Sequence, residues 1–168
     1  MKKMNKAATL ALMLLFTMGL SGCNARAGDA AAANPQSDLA LSEAGLRQVP
    51  LSIKTANATH ELVVEVAESS AQQAQGLMFR TELAPDKGMI FPFAKDRAAS
   101  FWMKNTVISL DIIFLRRDGT IESIAANTIP YSLAPVRSNE PVATVLEIAA
   151  GRAAELNIGP GDTVTWPR

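Results

Sequence analysis

The chain holds one cysteine, Cys23, and one histidine, His60. With no cysteine after residue 23, a zinc site built from histidine and cysteine is excluded, and so is a paired Cys–His nucleophile. A Ser-His-Asp arrangement would have to use His60, and no Gly-x-Ser-x-Gly stretch accompanies it. His60 stands at a strand start beside a turn and reads as a surface residue. Phosphate loops are missing too, since Gly159-Pro160-Gly161 has no lysine and leads into a strand. The 16 Lys and Arg balance the 16 Asp and Glu, and no basic cluster stands out. That argues against nucleic acid as a partner and against a face that binds anionic lipid.

What is present begins at the N-terminus. Met1, Lys2, Lys3 and Lys6 form a basic start, and Leu10 to Leu20 is almost wholly apolar. The run is too short to span a bilayer and has the layout of a secretory signal peptide. It ends in Leu20-Ser21-Gly22-Cys23, which resembles the lipobox of bacterial lipoproteins. That resemblance implies diacylglyceryl transfer to the Cys23 thiol, cleavage before it and acylation of the freed amine. Several acyl chains give stable anchoring where one is marginal. Capping of Cys23 also leaves the exported domain without a stray thiol. Residues 1–22 are thus read as signal peptide. The first 22 residues carry three lysines and no acid, leaving 13 basic against 16 acidic residues in the mature chain. Asn24, where lipoproteins retained in the inner membrane commonly carry aspartate, favours the outer membrane, on the periplasmic side of the envelope. Membrane contact is then assigned to the lipid on Cys23.

Residues 23–47 are rich in Ala, Asn, Gln, Ser and Gly and read as a tether, with a short helix conceivable over Leu39 to Leu46. Residues 48–168 read as a single domain. Period-two alternation predicts strands over Val49 to Ala56 and His60 to Ala67, paired as a hairpin. Ser69 or Ser70 caps a short helix through Gln75, stopped by Gly76, with Leu77, Met78 and Phe79 docking it on the core. Pro85 to Gly88 forms a turn, and Met89 to Phe93 and Ala98 to Met103 are strands. Leu110 to Leu115 is apolar enough to be buried on both faces. Arg117-Asp118-Gly119-Thr120 predicts a primed hairpin turn into a strand over Ile121 to Ala125. Val142 to Ile148 is a strand, Gly151 to Ile158 a short helix and Thr163 to Trp166 a last strand. The fold class is mainly β (α+β): a compact barrel or sandwich of short, mostly antiparallel strands with two short helices.

Gly76-Leu77-Met78-Phe79-Arg80, Gly88-Met89-Ile90-Phe91 and Phe101 to Thr106 followed by Leu110 to Phe114 together resemble the domain of unknown function 192 family. Val145-Leu146-Glu147, Gly151 and Ile158 to Asp162 extend the resemblance to the C-terminus. It implies a small β-rich exported domain and no particular activity. Ile90 and Val107 stand where leucine is more usual.

The chemistry-bearing candidates are polar residues in apolar settings. Alternation places Trp102 and Lys104 on one face, with the lysine stem on the indole. Asn105 begins a turn. Asp111 either caps a backbone turn or pairs with Lys104 or Arg80. Arg80 is otherwise assigned to the helix end, and Asp162 to bracing its own loop. Grouped around one pocket, Arg80, Trp102, Lys104, Asn105 and Asp111 would grip a small polar or anionic ligand. The expected function is an exported lipoprotein with a binding or interaction module, without catalysis, cofactor or metal. The alternative is an envelope hydrolase or isomerase using Lys104, Asp111 or Glu147 as acid and base. An envelope protein docking on exposed ends of Phe91 and Phe93 is a third option.

Overall fold

The computed structural model describes residues 39–168. The expected signal peptide, Cys23 and the expected tether up to residue 38 lie outside the described residues. Seven strands and two short helices follow: β1 (Gln48–Lys54), β2 (Thr59–Val66), α1 (Ser70–Gln75), β3 (Lys87–Phe101), β4 (Leu110–Leu115), β5 (Ile121–Ala125), β6 (Val136–Ala149), α2 (Arg152–Glu155) and β7 (Thr163–Thr165). They form one sheet in the order β5-β4-β6-β3-β2-β1-β7. Its two edges meet through a bridge between Thr120 and Thr163. Ile121 N–H donates to the Asp162 carbonyl at 2.8 Å and Val164 N–H to that of Gly119 at 2.9 Å. The sheet is therefore a nearly closed barrel, which leaves little edge for pairing with other chains.

Every strand pair is antiparallel except β2–β3, which runs parallel because α1 lies in the crossover between them. Ser69 caps α1 by accepting from Gln72 N–H, and the Gln72 side chain returns the bond to Ser69 N–H. No α1 residue is buried. Of the three residues expected to dock it, Leu77 is buried, Met78 is half-buried and Phe79 is exposed. Leu39 to Leu46 forms no helix; Ser42 and Leu46 close a turn instead.

Two of the strands read from the sequence, Met89–Phe93 and Ala98–Met103, are one long β3, which carries on with register shifts after Pro92 and Ala98. The turn assigned to Pro85–Gly88 closes one residue earlier, with Lys87 N–H on the Ala84 carbonyl. In the β4–β5 turn only Gly119 has positive φ, +88°. Asp118 instead accepts from Thr120 N–H, and the ladder shifts between Phe114 and Leu115. This is a bulged turn and not the primed one expected.

Both faces of the sheet are covered. The barrel interior holds Ile53, Val64, Ile90, Ile113, Leu146, Ile148 and Val164. A second cluster on the outer face gathers Leu77, Met89, Phe91, Met103, Ile112, Phe114 and Val145. β4 lies between the two and is buried at all six positions, as its unbroken apolar run requires.

Candidate functional site

The outer face of the sheet has a polar row running through its register. Gln48 on β1 stands beside Glu65 on β2, Glu65 beside Met89 on β3, Met89 beside Glu147 on β6, and Glu147 beside Ile112 on β4. Side chains at paired positions share a face, so both carboxyls project to the same side. They meet different surroundings. Arg80, from the segment after α1, reaches back so that its Nη2 lies 2.5 Å from Glu65 Oε2. Glu147 lies between Met89 and Ile112 with no side-chain partner and is 5% exposed. Burial pushes its carboxyl from the usual 4.5 up to about 8, so it is largely protonated at neutral pH.

Above the Glu65 end of the row opens a groove of about 1080 Å³. Gln48, Val63, Glu65 and Lys87 form its floor, α1 and residues 76–84 one wall, and residues 41–46 the other. Arg80 makes a single contact to Glu65 in this setting, and a guanidinium carries five N–H donors. The remaining donors are available to a carboxylate or phosphate oxygen, and the floor supplies a second cation in Lys87. Leu41, Leu46, Met78, Phe79 and Leu83 add apolar wall. The groove therefore combines apolar wall with two cations, Arg80 and Lys87, and three carboxylates, Glu43, Glu65 and Glu82.

The five residues expected to share one pocket do not converge. Arg80 lines the groove and pairs with Glu65, finishing no helix and leaving Asp111 to other partners. Asn105, at φ +57°, is linked to the groove wall, its carbonyl accepting from Phe79 N–H at 2.8 Å. Trp102 and Lys104 sit on an exposed loop, with the ammonium 5.2 Å from the indole centroid. Asp111 is fully buried on the inner face opposite Ile148. Its Oδ1 accepts from Asn127 N–H at 2.8 Å and Gly151 N–H at 3.1 Å, and its Oδ2 from Ala153 N–H at 2.9 Å. It caps α2 from another strand, because the N-cap position there is Gly151 and has no side chain. The backbone-capping reading of Asp111 is the one the geometry supports; neither Lys104 nor Arg80 pairs with it.

Glu65 was missed from the sequence. An alternating Glu at 61 and 65 looks like a solvated strand face, and only the crossover that brings Arg80 back reveals the pair. Other expectations also change. Lys104, Asp111 and Glu147 lie on a surface loop, the inner face and the outer face, so they form no acid–base set. Phe91 is buried and meets the Phe101 ring edge-on at 5.1 Å, while Phe93 lies under the Arg97 guanidinium at 3.9 Å. Phe91 therefore offers no exposed end for docking, and Phe93 is half-buried with one ring face taken by Arg97. His60 is half-buried, its Nε2 without a hydrogen-bond partner. Among the described residues no group of three His, Cys, Asp or Glu gathers to hold a metal ion.

The family model described as DUF192, "Uncharacterized ACR", matches residues 51–166. A solved protein of unknown function from Novosphingobium aromaticivorans is 45% identical, with a TM-score of 0.75 over 78% of this chain and 95% of its own. A second, from Sinorhizobium meliloti and provisionally described as a transcription regulator, is 43% identical, with a TM-score of 0.71 over 72% of this chain and 95% of its own. No curated protein matches the chain.

Proposed function

The chain belongs to the domain of unknown function 192 family, and we propose that it serves as a lipid-anchored, exported binding module. On this reading residues 1–22 are a signal peptide, Cys23 carries the lipid, and the domain works on the periplasmic side of the envelope. The basic start, apolar run and Leu20-Ser21-Gly22-Cys23 stretch support the anchor. The groove beside Arg80 supports the binding role and is the observation that carries it. Its ligand is a small amphipathic anion: a carboxylate or phosphate head on Arg80, with an apolar body along Leu46, Met78 and Leu83. Selectivity for a negative head rests on the free donors of Arg80 and on Lys87, which lies 3.7 Å from Asp86, against Glu43, Glu65 and Glu82 in the same lining. A regulator's contact with DNA, suggested by the description of the Sinorhizobium protein, finds no support in a mature chain with more acidic than basic residues and no basic stripe.

Two measurements test the two halves separately. Cys23→Ala is expected to move the protein from the membrane to the soluble fraction; retention in the membrane refutes the anchor. Thermal melts against medium-chain carboxylates, N-acylated amino acids and alkyl phosphates test the groove. A stabilisation lost in both Arg80→Gln and Lys87→Gln supports it. If no compound shifts the melt, or if the shift survives both substitutions, the groove is not the ligand site.

A further inference from the structure

Three loops come together at one end of the domain, one of them the Phe79 segment that also lines the groove. Phe79 N–H donates to the Asn105 carbonyl at 2.8 Å, Met103 N–H to that of Ser132 at 3.0 Å, and Tyr131 N–H to that of Thr106 at 3.1 Å. The loops so laced present Phe79, Trp102, Val107, Ile129, Tyr131 and Leu133, all exposed, with Ile129 at 73% and Leu133 at 67%. Three of the six, Phe79, Trp102 and Tyr131, are aromatic, a class that offers roughly 150–250 Å² per side chain when open. The set therefore approaches the upper end of the few hundred Å² that an ordinary monomer leaves apolar. Phe79 and Tyr131 also hold positive φ, +65° and +60°. For bulky residues that backbone is strained, and strain of this kind concentrates where a surface has a use.

We propose that this end of the domain lies in the lipid–water interface of the membrane that holds the chain. The proposal rests on the lipid-anchor reading and adds a contact made by the folded domain itself. The composition is that of an interfacial belt: an indole and a phenol among aliphatic side chains. Lys104 keeps its ammonium near the Trp102 ring, where it can reach the headgroups while its stem stays among apolar neighbours. The chain also enters the domain on this side. Leu41 and Leu46 line the groove across from Met78 and Phe79, so the first described residues and the edge of the patch share that groove. Fifteen residues separate Cys23 from Leu39, a reach of at most about 50 Å. A tether of that reach lets this end meet the bilayer. The contact is apolar and aromatic, so it needs no anionic lipid, in keeping with a chain that lacks a basic face.

The test uses the chain from Cys23 onward, which keeps every strand and both apolar clusters. Its single cysteine is coupled to a maleimide-headgroup lipid in phosphatidylcholine vesicles. Trp166→Phe leaves Trp102 as the one indole of the two in the sequence. Apolar groups at an interface settle about 5–10 Å into the headgroup–acyl boundary. Trp102 emission is therefore expected to shift to the blue and to be quenched more by a spin label near the headgroup than by one at the acyl-chain end. Ile129→Asp with Leu133→Asp, both at exposed positions that leave the core intact, is expected to abolish the shift and the quenching. Unchanged Trp102 emission on coupling overturns the proposal and leaves the patch to a protein partner, as does quenching that survives the double substitution. Coupling is chemical, so absence of acyl groups on native Cys23 would remove the anchor reading while this readout still judges the patch.

Discussion

Replacing the Glu147 carboxyl by an amide is expected to stabilise this protein at neutral pH and above. The side chain lies between Met89 and Ile112 on the outer face, 5% exposed and without a partner. Its pKa is raised from 4.5 to about 8 by burial. In the unfolded chain the group ionises near its ordinary value, whereas the folded chain retains the proton until about pH 8. Between those limits the native state binds more protons than the unfolded one, so stability falls as pH rises. Each pKa unit corresponds to about 1.4 kcal/mol, which makes the loss about 3 kcal/mol at pH 7 and about 5 kcal/mol above pH 8. Glu147→Gln keeps the shape and cannot ionise. Urea unfolding of both proteins from pH 4 to pH 9 should give curves that nearly coincide at the acid end, within about 1 kcal/mol. They should then diverge by about 3 kcal/mol or more at the alkaline end, with the glutamine variant the more stable form. The difference between the two proteins isolates this group from any other that titrates in the range. Parallel curves across the whole range, or a glutamine variant that is less stable at every pH, would refute the reasoning.

Asp111→Ala should be strongly destabilising, because three backbone N–H groups lose their acceptor inside the protein. With the full penalty of about 1–3 kcal/mol for the buried Ala153 N–H and a smaller share for the part-buried N–H groups of Asn127 and Gly151, a loss of about 3–5 kcal/mol is expected in chemical denaturation. A loss below about 1 kcal/mol would show that water replaces the carboxylate. Gly119→Ala should cost about 2–4 kcal/mol in the same assay. It puts a side chain at φ +88° and a Cβ 2.3 Å from the Val164 carbonyl, where β7 closes the barrel; an unchanged midpoint would mean the closure yields freely. Arg80→Ala is expected to leave Glu65 an unpaired, buried carboxylate, so that Arg80→Ala with Glu65→Gln is more stable than Arg80→Ala alone. Equal stability would mean the pair is fully solvated.

Strand identity was legible in the sequence because β1, β2 and β4 announce themselves through local pattern. Alternation is enforced where one face meets the core, and the unbroken run of Leu110 to Leu115 by cover on both. The Ser69 cap and the Asp118-Gly119 turn are local hydrogen-bond and dihedral effects, readable to within a residue or a turn type. The merging of β3 was not readable, because pairing with β6 carries the strand past Pro92 despite an exposed second half. The role of Asp111 was open, since a carboxylate in an apolar run is compatible with a cation or a cap. The choice depended on α2 beginning at a glycine forty residues later.

By itself, then, the sequence determined the fold class and the family. Composition and short-range periodicity carry that information. Tertiary structure alone decided which polar residues meet. The parallel crossover at α1 returns Arg80 to Glu65, and register sets Glu147 in the same row but under apolar cover. Alternation along β4 turns Asp111 to the opposite face, and the fold brings the N–H groups of Asn127, Gly151 and Ala153 to it there. Such meetings join residues from 15 positions apart (Glu65 and Arg80) to 58 (Met89 and Glu147; 147 − 89 = 58), a range at which pattern says which face a side chain takes but not what stands across from it.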